Sequence, residues 1–301
     1  MTAHRAPGMD HDLYPYSAMP GRAALRWPGG ARIAFAPVVY LEHWELDPPQ
    51  GSLRESRFRD PYGDFRPDVR AHTWREYGAR IGIFRIFEVL DRHGLTASVA
   101  ANASALERYP QLVAECLRRG WEFVAHGTHA TRMASSDMSE DDERDFIAGS
   151  VAAVERATGV RPEGWIAQDW GQSARTPQLL AEAGLSYLAD WPNDDQPYWM
   201  TTAPPILAIP CQSELDDVQL LWHRRALTPR YPGLVEEGFR VLHAEGGRSF
   251  QLGIHPWLMG MPHRIRYLDA ALERLAGFDG VWNTTLGGIA EHMNALRAGD
   301  S

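Results

Sequence analysis

Polar residues that can transfer protons or bind a metal follow six of the apolar segments of this chain. They are Glu42 and His43, His126 and His129, Gln168 and Asp169, Asp190 and Asp195, Asp216 and Asp217, and His255. A single histidine of this kind is usually structural, and a single acidic pair in a loop is usually a solvated turn. Their recurrence after successive segments favours one site in which carboxylates and imidazoles act as acids, bases or metal ligands.

The elements that must position these residues alternate between strands and helices. Short apolar runs predict strands at 32–41, 96–101, 122–126, 164–167, 185–189, 206–210, 250–254 and 280–283. Helical spacing predicts helices at 78–93, 106–119, 139–158, 176–183, 233–245, 264–276 and 286–298. This order predicts an α/β fold, a mainly parallel barrel or sheet in which the carboxyl ends of the strands surround the site.

Length and composition indicate one main domain. The chain has 301 residues, of which 44% are hydrophobic and 23% charged, as in ordinary globular proteins. We expect an aperiodic N-terminal arm at 1–30 and a catalytic barrel domain at 31–301. Pro37 predicts that the first strand lies at a sheet edge or contains a bulge. The polar, proline-rich segment 45–73 predicts a long functional loop.

Charge and cysteine content exclude several partners and compartments. Lys and Arg number 30 and Asp and Glu 39, a net charge of −9, and no basic run would attract a nucleic acid. Cys116 and Cys211 are too few for a disulfide framework. The N-terminal segment lacks the apolar run of a signal peptide, and no segment is long enough to cross a membrane. We therefore expect a cytoplasmic protein that acts on a small molecule, with no nucleic-acid or membrane partner.

Five stretches of the sequence are informative in their order and spacing. They are WPGGARIAF from Trp27, REYGARIGIFRIFEVLDRHGLTASVAANASALERYP from Arg75, WEFVAHG from Trp121, DWPNDDQPYW from Asp190 and GIHPWLMGMPHR from Gly253. Together they resemble the polysaccharide deacetylase (NodB-like) superfamily, and within it the branch of metal-independent allantoinases and cyclic imide hydrolases. The resemblance implies a single distorted (β/α) barrel of seven or eight mainly parallel strands, hydrolysis of carbon–nitrogen bonds other than peptide bonds, and a homo-oligomer.

The resemblance also implies a metal site that this sequence does not keep. Deacetylases of the superfamily have two aspartates after the first strand and a His-x-x-x-His pair, where this chain has Glu42, His43, His126 and Ala130. Loss of one ligand commonly abolishes a metal site, so we expect no metal cofactor. The alternative is a zinc site formed by His43, His126 and His129.

Catalysis without a metal assigns a role to each of three residues. Glu42 is the base that activates water, provided that burial raises its pKa towards neutrality. His255 matches the histidine that assists acid catalysis in the superfamily, and His126 polarises or orients the carbonyl. Asp169, which stands near the place of an arginine of the superfamily, and Glu45 are next in line as the base.

The residues predicted to bind substrate are aromatic and acidic. Tryptophans can form flat walls for a planar ring, and aspartates can form a polar rim: Trp44, Trp170, Trp199 and Trp257, with Asp169, Asp190, Asp195 and Asp217. Because the long loop and the arm would cover such a site, a cyclic amide, imide or ureide fits better than a sugar polymer.

Two other functions stay open at this point. One is a metal-dependent N-deacetylase of an amino sugar or a small acetamide. The other is a non-catalytic binding protein on the same barrel, since a fold does not fix a function. Bound stoichiometric zinc would favour the first, and turnover of a ring amide would exclude the second.

Overall fold

One curled sheet organises the part of the chain that the computed structural model describes, residues 9–23, 25–49 and 66–299. Its strands are β1 (Ile33–Leu41), β2 (Ser98–Ala101), β3 (Glu122–Ala125), β4 (Gly164–Trp165), β5 (Tyr187–Leu188), β6 (Tyr198–Trp199), β7 (Leu207–Ala208), β8 (Arg248–Ile254) and β9 (Val281–Asn283). They are ordered β6-β7-β5-β4-β3-β2-β1-β8, and β9 also pairs with β1. Only β6 runs antiparallel to its neighbour among these pairs. The predicted distorted, mainly parallel barrel is therefore confirmed, and β6 is a strand that the sequence did not indicate.

Helices connect the strands and depart from the predicted pattern in several places. They are α1 (Val69–Tyr77), α2 (Ile83–Arg92), α3 (Ala103–Arg108), α4 (Pro110–Arg118), α5 (Glu140–Thr158), α6 (Thr176–Glu182), α7 (Tyr231–Glu245), α8 (Pro256–Met259), α9 (Ile265–Leu275) and α10 (Leu286–Gly299). The end of the predicted loop 45–73 is helical, because α1 begins at Val69 and continues through a wider π-helical turn, Gly78–Gly82, into α2. The predicted helix 106–119 is broken at Tyr109, because Pro110 lacks an N–H and cannot continue a preceding helix. Residues 50–65 of the predicted loop lie outside the described residues.

Pro37 lies in the middle of a central strand, so the prediction of an edge or a bulge is wrong. On one side β1 pairs with β8 through Pro37 itself, which is opposite Leu252. On the other side β1 changes partner, since β9 pairs with Ile33–Phe35 and β2 pairs from Val38 onward. Pro37 stands at this change, where its missing N–H interrupts neither ladder.

Side-chain amides close the barrel where backbone pairing stops. Gln212 accepts a hydrogen bond of 2.7 Å from the N–H of Gln251 and donates one of 3.0 Å to the carbonyl of Ser249. The Gln251 amide donates at 3.2 Å to the carbonyl of Ala189, which follows β5. These bonds join β8 to the segments after β5 and β7, so the interior is enclosed.

Successive residues of each strand face opposite layers of the core. On β1, Ala34, Ala36 and Val38 point into the barrel, whereas Ile33 and Phe35 belong to the layer beneath the helices. This is the two-residue period of a β-strand. It decides which residues beyond the strand ends can enter the interior.

The end of the arm packs at the amino end of the barrel, whereas residues 13–22 contact the segment 191–201 that follows β5. The indole of Trp27 donates a hydrogen bond of 2.9 Å to the carbonyl of Arg248, the first residue of β8. His292 of α10 contacts the carbonyl of Arg26 at 2.7 Å. No helix within the described ranges is both long and apolar enough to span a membrane. Cys116 and Cys211 are buried free thiols.

Candidate active site

A pocket lies where the strands end. Its lining is aromatic, acidic and basic at once: Tyr40, Glu42, Trp44, His126, Ala167, Gln168, Asp169, Trp170, Asp216, Val218, Gln219, His255 and Trp257. The three residues predicted to be catalytic, Glu42, His126 and His255, are all among them. The described residues of the arm are not, so the expectation that the arm covers the site is wrong for that part of the chain.

The period of the strands explains which side chains enter the pocket. Tyr40 belongs to the interior face of β1, and Glu42 continues that face two residues later. Val124 is interior on β3, and His126 follows it in the same way. His43 instead continues the face of Leu41, which packs under the helices. Of the pair Glu42 and His43, only the first reaches the pocket.

Glu42 is an ionised, almost fully buried carboxylate. Its Oε1 accepts a hydrogen bond of 2.8 Å from Gln168 Nε2 and lies 3.5 Å from His126 Nε2. Burial raises the pKa of Glu42, but contact with His126, the charge of His255 and the Gln168 bond outweigh burial and bring it down to about 2. The expectation of a pKa near neutrality is therefore wrong, because these partners stabilise the charged form. A carboxylate with so low a pKa is a weak base at neutral pH.

His255 is an imidazolium held from behind by Asp217. Its Nδ1 donates to Asp217 Oδ1 at 2.6 Å, and its backbone N–H donates to Asp217 Oδ2 at 2.8 Å. Burial lowers the pKa of His255, but the charges of Asp217 and Asp216, that hydrogen bond and the charge of Glu42 raise it to about 10. The ring stacks on Tyr40 with centroids 4.1 Å apart. Nε2 is the ring atom left to donate a proton into the pocket.

His126 is fixed in one orientation by the backbone of β4. Its Nδ1 donates a hydrogen bond of 2.7 Å to the carbonyl of Ile166, which can only accept. Nε2 therefore faces Glu42 and the pocket, and the side chain is 1% exposed. When Nε2 also carries a proton, it can donate to a substrate carbonyl beside it.

A tight turn after β4 brings Asp169 and Trp170 to the pocket. Both residues have a left-handed backbone, with φ of 51° and 56°. The N–H of Trp170 donates to the carbonyl of Ala167 at 3.2 Å, and the N–H of Gly171 donates to the carbonyl of Gln168 at 3.0 Å. The turn thus presents a carboxylate and an indole side by side.

Three of the predicted tryptophans form walls of the pocket: Trp44, Trp170 and Trp257. The guanidinium of Arg75 lies 3.9 Å from the ring of Trp44 and 5.1 Å from that of Trp257, and such cation–π contacts restrain both rings. Trp199 is on β6 and outside the lining, so its predicted role as a wall is wrong.

Three of the four aspartates predicted to bind substrate lie elsewhere. Asp190 is 2% exposed, and its carboxylate accepts hydrogen bonds from two backbone N–H groups beneath the pocket. The carbonyl of Asp195 bonds Ser249, six residues before His255, which is about 20 Å along an extended strand. Asp217 is fully buried behind His255 rather than at the rim. Strand-end position alone cannot separate these cases from Asp169, which does line the pocket.

The residues present do not fit the metal site that the superfamily implies. His126 faces the pocket, but His43 Nδ1 lies 3.4 Å from the hydroxyl of Tyr109 on the opposite face of β1. His129 Nε2 lies 3.6 Å from Glu45 Oε1. The three histidines therefore do not converge, and the alternative zinc site is wrong in its geometry.

Within the described ranges, one group of three side chains is close enough to bind a metal ion together. Possible ligand atoms of Asp216, Asp217 and His255 all lie within 4.8 Å of one another. In this group His255 Nδ1 donates to Asp217, so the atom that would bind a cation carries a proton. The group is therefore explained as an imidazolium with two counter-charges.

Two polar residues of the lining, Tyr40 and Gln219, were not predicted, and neither was the pairing of Asp217 with His255. Tyr40 could have been found from the period of β1, because it precedes Glu42 by two residues. Gly253, two residues before His255, is a signal for an acid packed beside His255. A Cβ at Gly253 would overlap the carboxylate of Asp216. Gln219 lies on a π-helical turn, Val218–His223, that has no recognisable sequence pattern.

Comparisons with known proteins agree with this architecture. Residues 76–188 match the family model described as polysaccharide deacetylase. A candidate polysaccharide deacetylase of Schizosaccharomyces pombe is 26% identical over 306 residues, which cover 89% of this chain and 92% of that protein.

Two solved structures are similar over nearly the whole chain. The Puue allantoinase has a TM-score of 0.83 and 26% identity, covering 95% of this chain and 98% of its own. A candidate polysaccharide deacetylase from Pseudomonas aeruginosa PAO1 has a TM-score of 0.79 and 26% identity, covering 90% of this chain and 94% of its own.

Proposed function

We propose that this chain, which carries a polysaccharide deacetylase domain of the NodB-like type, hydrolyses a carbon–nitrogen bond of a small cyclic amide, imide or ureide. The observation that carries the proposal is an ionised carboxylate and an imidazolium in one small pocket with tryptophan walls. The likeness to an allantoinase over 95% of the chain supports the same class of substrate.

The pocket supplies what hydrolysis of such a ring needs. Trp44, Trp170 and Trp257 offer flat apolar surfaces to a planar ring. His126 Nε2 can donate to the carbonyl oxygen and stabilise the negative charge that develops on it. His255 Nε2 can protonate the departing nitrogen, which would otherwise be a poor leaving group.

The walls of the pocket favour a ring over a polymer. An extended sugar chain needs a longer open groove to place neighbouring units. Bulky indole walls on several sides of Glu42 leave little room for such units.

Deacetylation of a small acetamide is the second candidate, and a specific observation favours it. Relatives described as deacetylases include the S. pombe protein and a peptidoglycan deacetylase of Helicobacter pylori. An acetamide has the same carbonyl and nitrogen as a ring amide, so the same side chains could act on it. The two substrates differ in shape and are separated by assay.

The direct test is a panel assay with purified protein. Five- and six-membered cyclic imides, hydantoins, dihydropyrimidines and allantoin are compared with N-acetylglucosamine, its oligomers and simple acetamides. Release of a new carboxylate is measured for the wild type, for His255→Asn and for Asp145→Asn, a matched control on the exposed face of α5. We expect turnover of at least one ring substrate, its loss in His255→Asn and its retention in Asp145→Asn.

Other outcomes would replace the proposal. Turnover of acetamides alone would establish the deacetylase instead. Binding of ring compounds without turnover would establish a non-catalytic binding protein. Equal activity in His255→Asn and wild type would show that the chemistry takes place outside this pocket.

A further inference from the structure

We infer that Asp169 is the proton acceptor of the reaction and takes a proton from the water that attacks the substrate carbonyl. Glu42 stays ionised throughout, lies beside His126 Nε2 and helps to keep His255 charged. This inference rests on the proposed function and adds a catalytic residue to it. It also reverses the expectation from the sequence that Glu42 is the base.

The order of the sheet places Asp169 and His255 on opposite flanks of the pocket. The strands run β4-β3-β2-β1-β8, with Asp169 after β4 and His255 after β8. Glu42 and His126 follow β1 and β3, between them. Hydrolysis removes a proton from water and delivers one to the leaving nitrogen, so a base and an acid on two flanks suit the reaction.

The turn that carries Asp169 is conformationally costly. Left-handed φ values at two successive residues other than glycine are unfavourable and persist only where neighbours enforce them. Asp190 enforces the start of the turn, because its carboxylate accepts a hydrogen bond of 3.0 Å from the N–H of Ala167. Gly171 packs against Met133 at the end, where a Cβ would overlap that side chain. Strain of this kind is concentrated at functional sites.

The electrostatics of the pocket give Asp169 and Glu42 very different pKa values. Burial and the charge of Glu42 raise the pKa of Asp169 to about 7, against the lowering effects of His126, Gln168 and His255. The pKa of Glu42 is about 2. A general base works best when its pKa is close to the working pH, and a pair of carboxyls pushed apart in this way divides the roles.

Asp216 is a third acid in the lining, but it stands on the side of the proton donor. Its Oδ1 accepts hydrogen bonds from the N–H groups of Val218 at 3.0 Å and Gln219 at 3.3 Å. Its Oδ2 lies 3.9 Å from His255 Nδ1. Asp216 therefore supports the charge of His255, and Asp169 alone faces the pocket from the other flank.

The step balances without any further reactant. As the water oxygen bonds to the carbonyl carbon, one water proton moves to the carboxylate of Asp169 and the C=O π electrons move to oxygen. The carbonyl then re-forms, the C–N bond breaks with its electron pair on nitrogen, and the nitrogen takes the proton of His255 Nε2. One water is consumed, and the ring opens to a carboxylic acid and an N–H group, which belongs to an amine, an amide or a urea according to the ring. Proton exchange with solvent restores Asp169 and His255.

The test is the pH dependence of kcat/KM on a ring substrate from the panel. In the wild type and in the control Asp145→Asn, kcat/KM should fall about tenfold for each pH unit below an apparent pKa of about 7. Asp169→Asn should lower kcat by ~10² to 10⁴ and abolish this acid limb. Glu42→Gln should keep the limb but move it to lower pH, because the pKa of Asp169 falls when the neighbouring charge is removed.

The opposite pattern would overturn the inference. An acid limb that persists in Asp169→Asn and vanishes in Glu42→Gln would make Glu42 the base. Nearly wild-type turnover in Asp169→Asn would exclude any acid–base role for Asp169.

A second measurement needs no substrate. Difference infrared titration should show a protonated carboxyl that ionises near neutral pH in the wild type, with smaller amplitude in Asp169→Asn. Asp190 and Asp216, whose pKa values burial also raises, remain in both proteins as internal references. Unchanged amplitude would contradict the assignment of Asp169. If no ring compound in the panel were turned over, the proposed function would fail while this titration could still be read.

Discussion

At the scale of single residues, the charge of His255 depends on the carboxylate behind it. Asp217→Asn keeps a hydrogen-bond acceptor but removes the negative charge, so the pKa of His255 should fall from about 10. Because His255 must be protonated to act as the acid, the alkaline fall in kcat should move to lower pH, by about tenfold in rate for each unit of displacement. The measurement is kcat against pH on the alkaline side, with circular dichroism to check folding.

The matched control for this prediction is Asp145→Asn, which removes one charge from an exposed position on α5. Its alkaline limb should coincide with that of the wild type. If Asp217→Asn also left the limb in place, His255 would not be the proton donor of the reaction.

The pocket residues Glu42, His126 and His255 could be identified from the sequence, because each stands directly after a strand on its interior face. The roles of the acids could not. A pKa is set by partners from several strands, such as Gln168 and His255 around Glu42, and their distances follow only from the folded barrel. For the same reason Asp190 and Asp217 could not be recognised as supports beneath the pocket rather than residues of its rim.

At the scale of elements, the π-helical turn Gly78–Gly82 and the helix α8 contact each other closely. Gly82, at the end of the π-helical turn, packs backbone to backbone against Gly260, which follows α8. Gly78 makes a similar approach, and a Cβ there would lie 2.5 Å from the N–H nitrogen of Trp257. Since α8 begins directly after His255, this packing fixes both the proton donor and one tryptophan wall.

Gly260→Ala should therefore be destabilising and should also lower kcat. Its φ is −72°, which alanine adopts easily, so the effect is steric: the new Cβ overlaps Gly82 and forces α8 outward. Overpacking of this kind costs about 1–3 kcal/mol in the free energy of unfolding. Denaturant unfolding and kcat on the ring substrate measure the two effects.

Gly149→Ala is the control, because it lies on the exposed face of α5 with no atom within 4 Å of the new Cβ. It should stabilise the protein by about 0.5–1 kcal/mol, as expected for a glycine in a helix interior. Equal stability of the two variants would show that the contact between Gly82 and Gly260 does not constrain α8.

The long elements could be predicted with their lengths, whereas the short strands β4, β5 and β7 were predicted too long and β6 was not predicted. The helix α5 has a Ser139 cap and acids in its first turn, and the strand β1 is a nine-residue apolar run, so local signals suffice. The strands β4, β5, β6 and β7 have two residues each. Their pairing depends on neighbours distant in sequence. Pro37 shows the same limit, since its tolerance depends on the change of partner from β9 to β2.

At the scale of the whole molecule, the barrel brings residues from across the chain into one pocket. Strand and helix alternation predicted the parallel architecture, and the resemblance to a family supplied the distorted barrel. Neither indicated that Gln212 and Gln251 seal the barrel through their amides. The packing of Trp27 at the amino end of β8 could not be predicted either, because an aperiodic segment has no pattern that locates it.

Because His43, His126 and His129 do not converge in this barrel, we propose that the reaction proceeds without a metal. Only Glu42 and His126 of the superfamily's expected ligand positions face the pocket, and Ala130 has no ligand atom. Proton transfer by Asp169 and His255 then has to carry the chemistry.

The measurement that tests metal-independent hydrolysis most directly is turnover of a ring substrate by purified protein before and after exhaustive chelation. Bound metal is quantified in both samples. We predict that kcat is unchanged and that adding zinc has no effect. Loss of turnover on chelation, with recovery on stoichiometric zinc, would show that a metal activates the water and that the carboxylate–imidazolium mechanism is wrong.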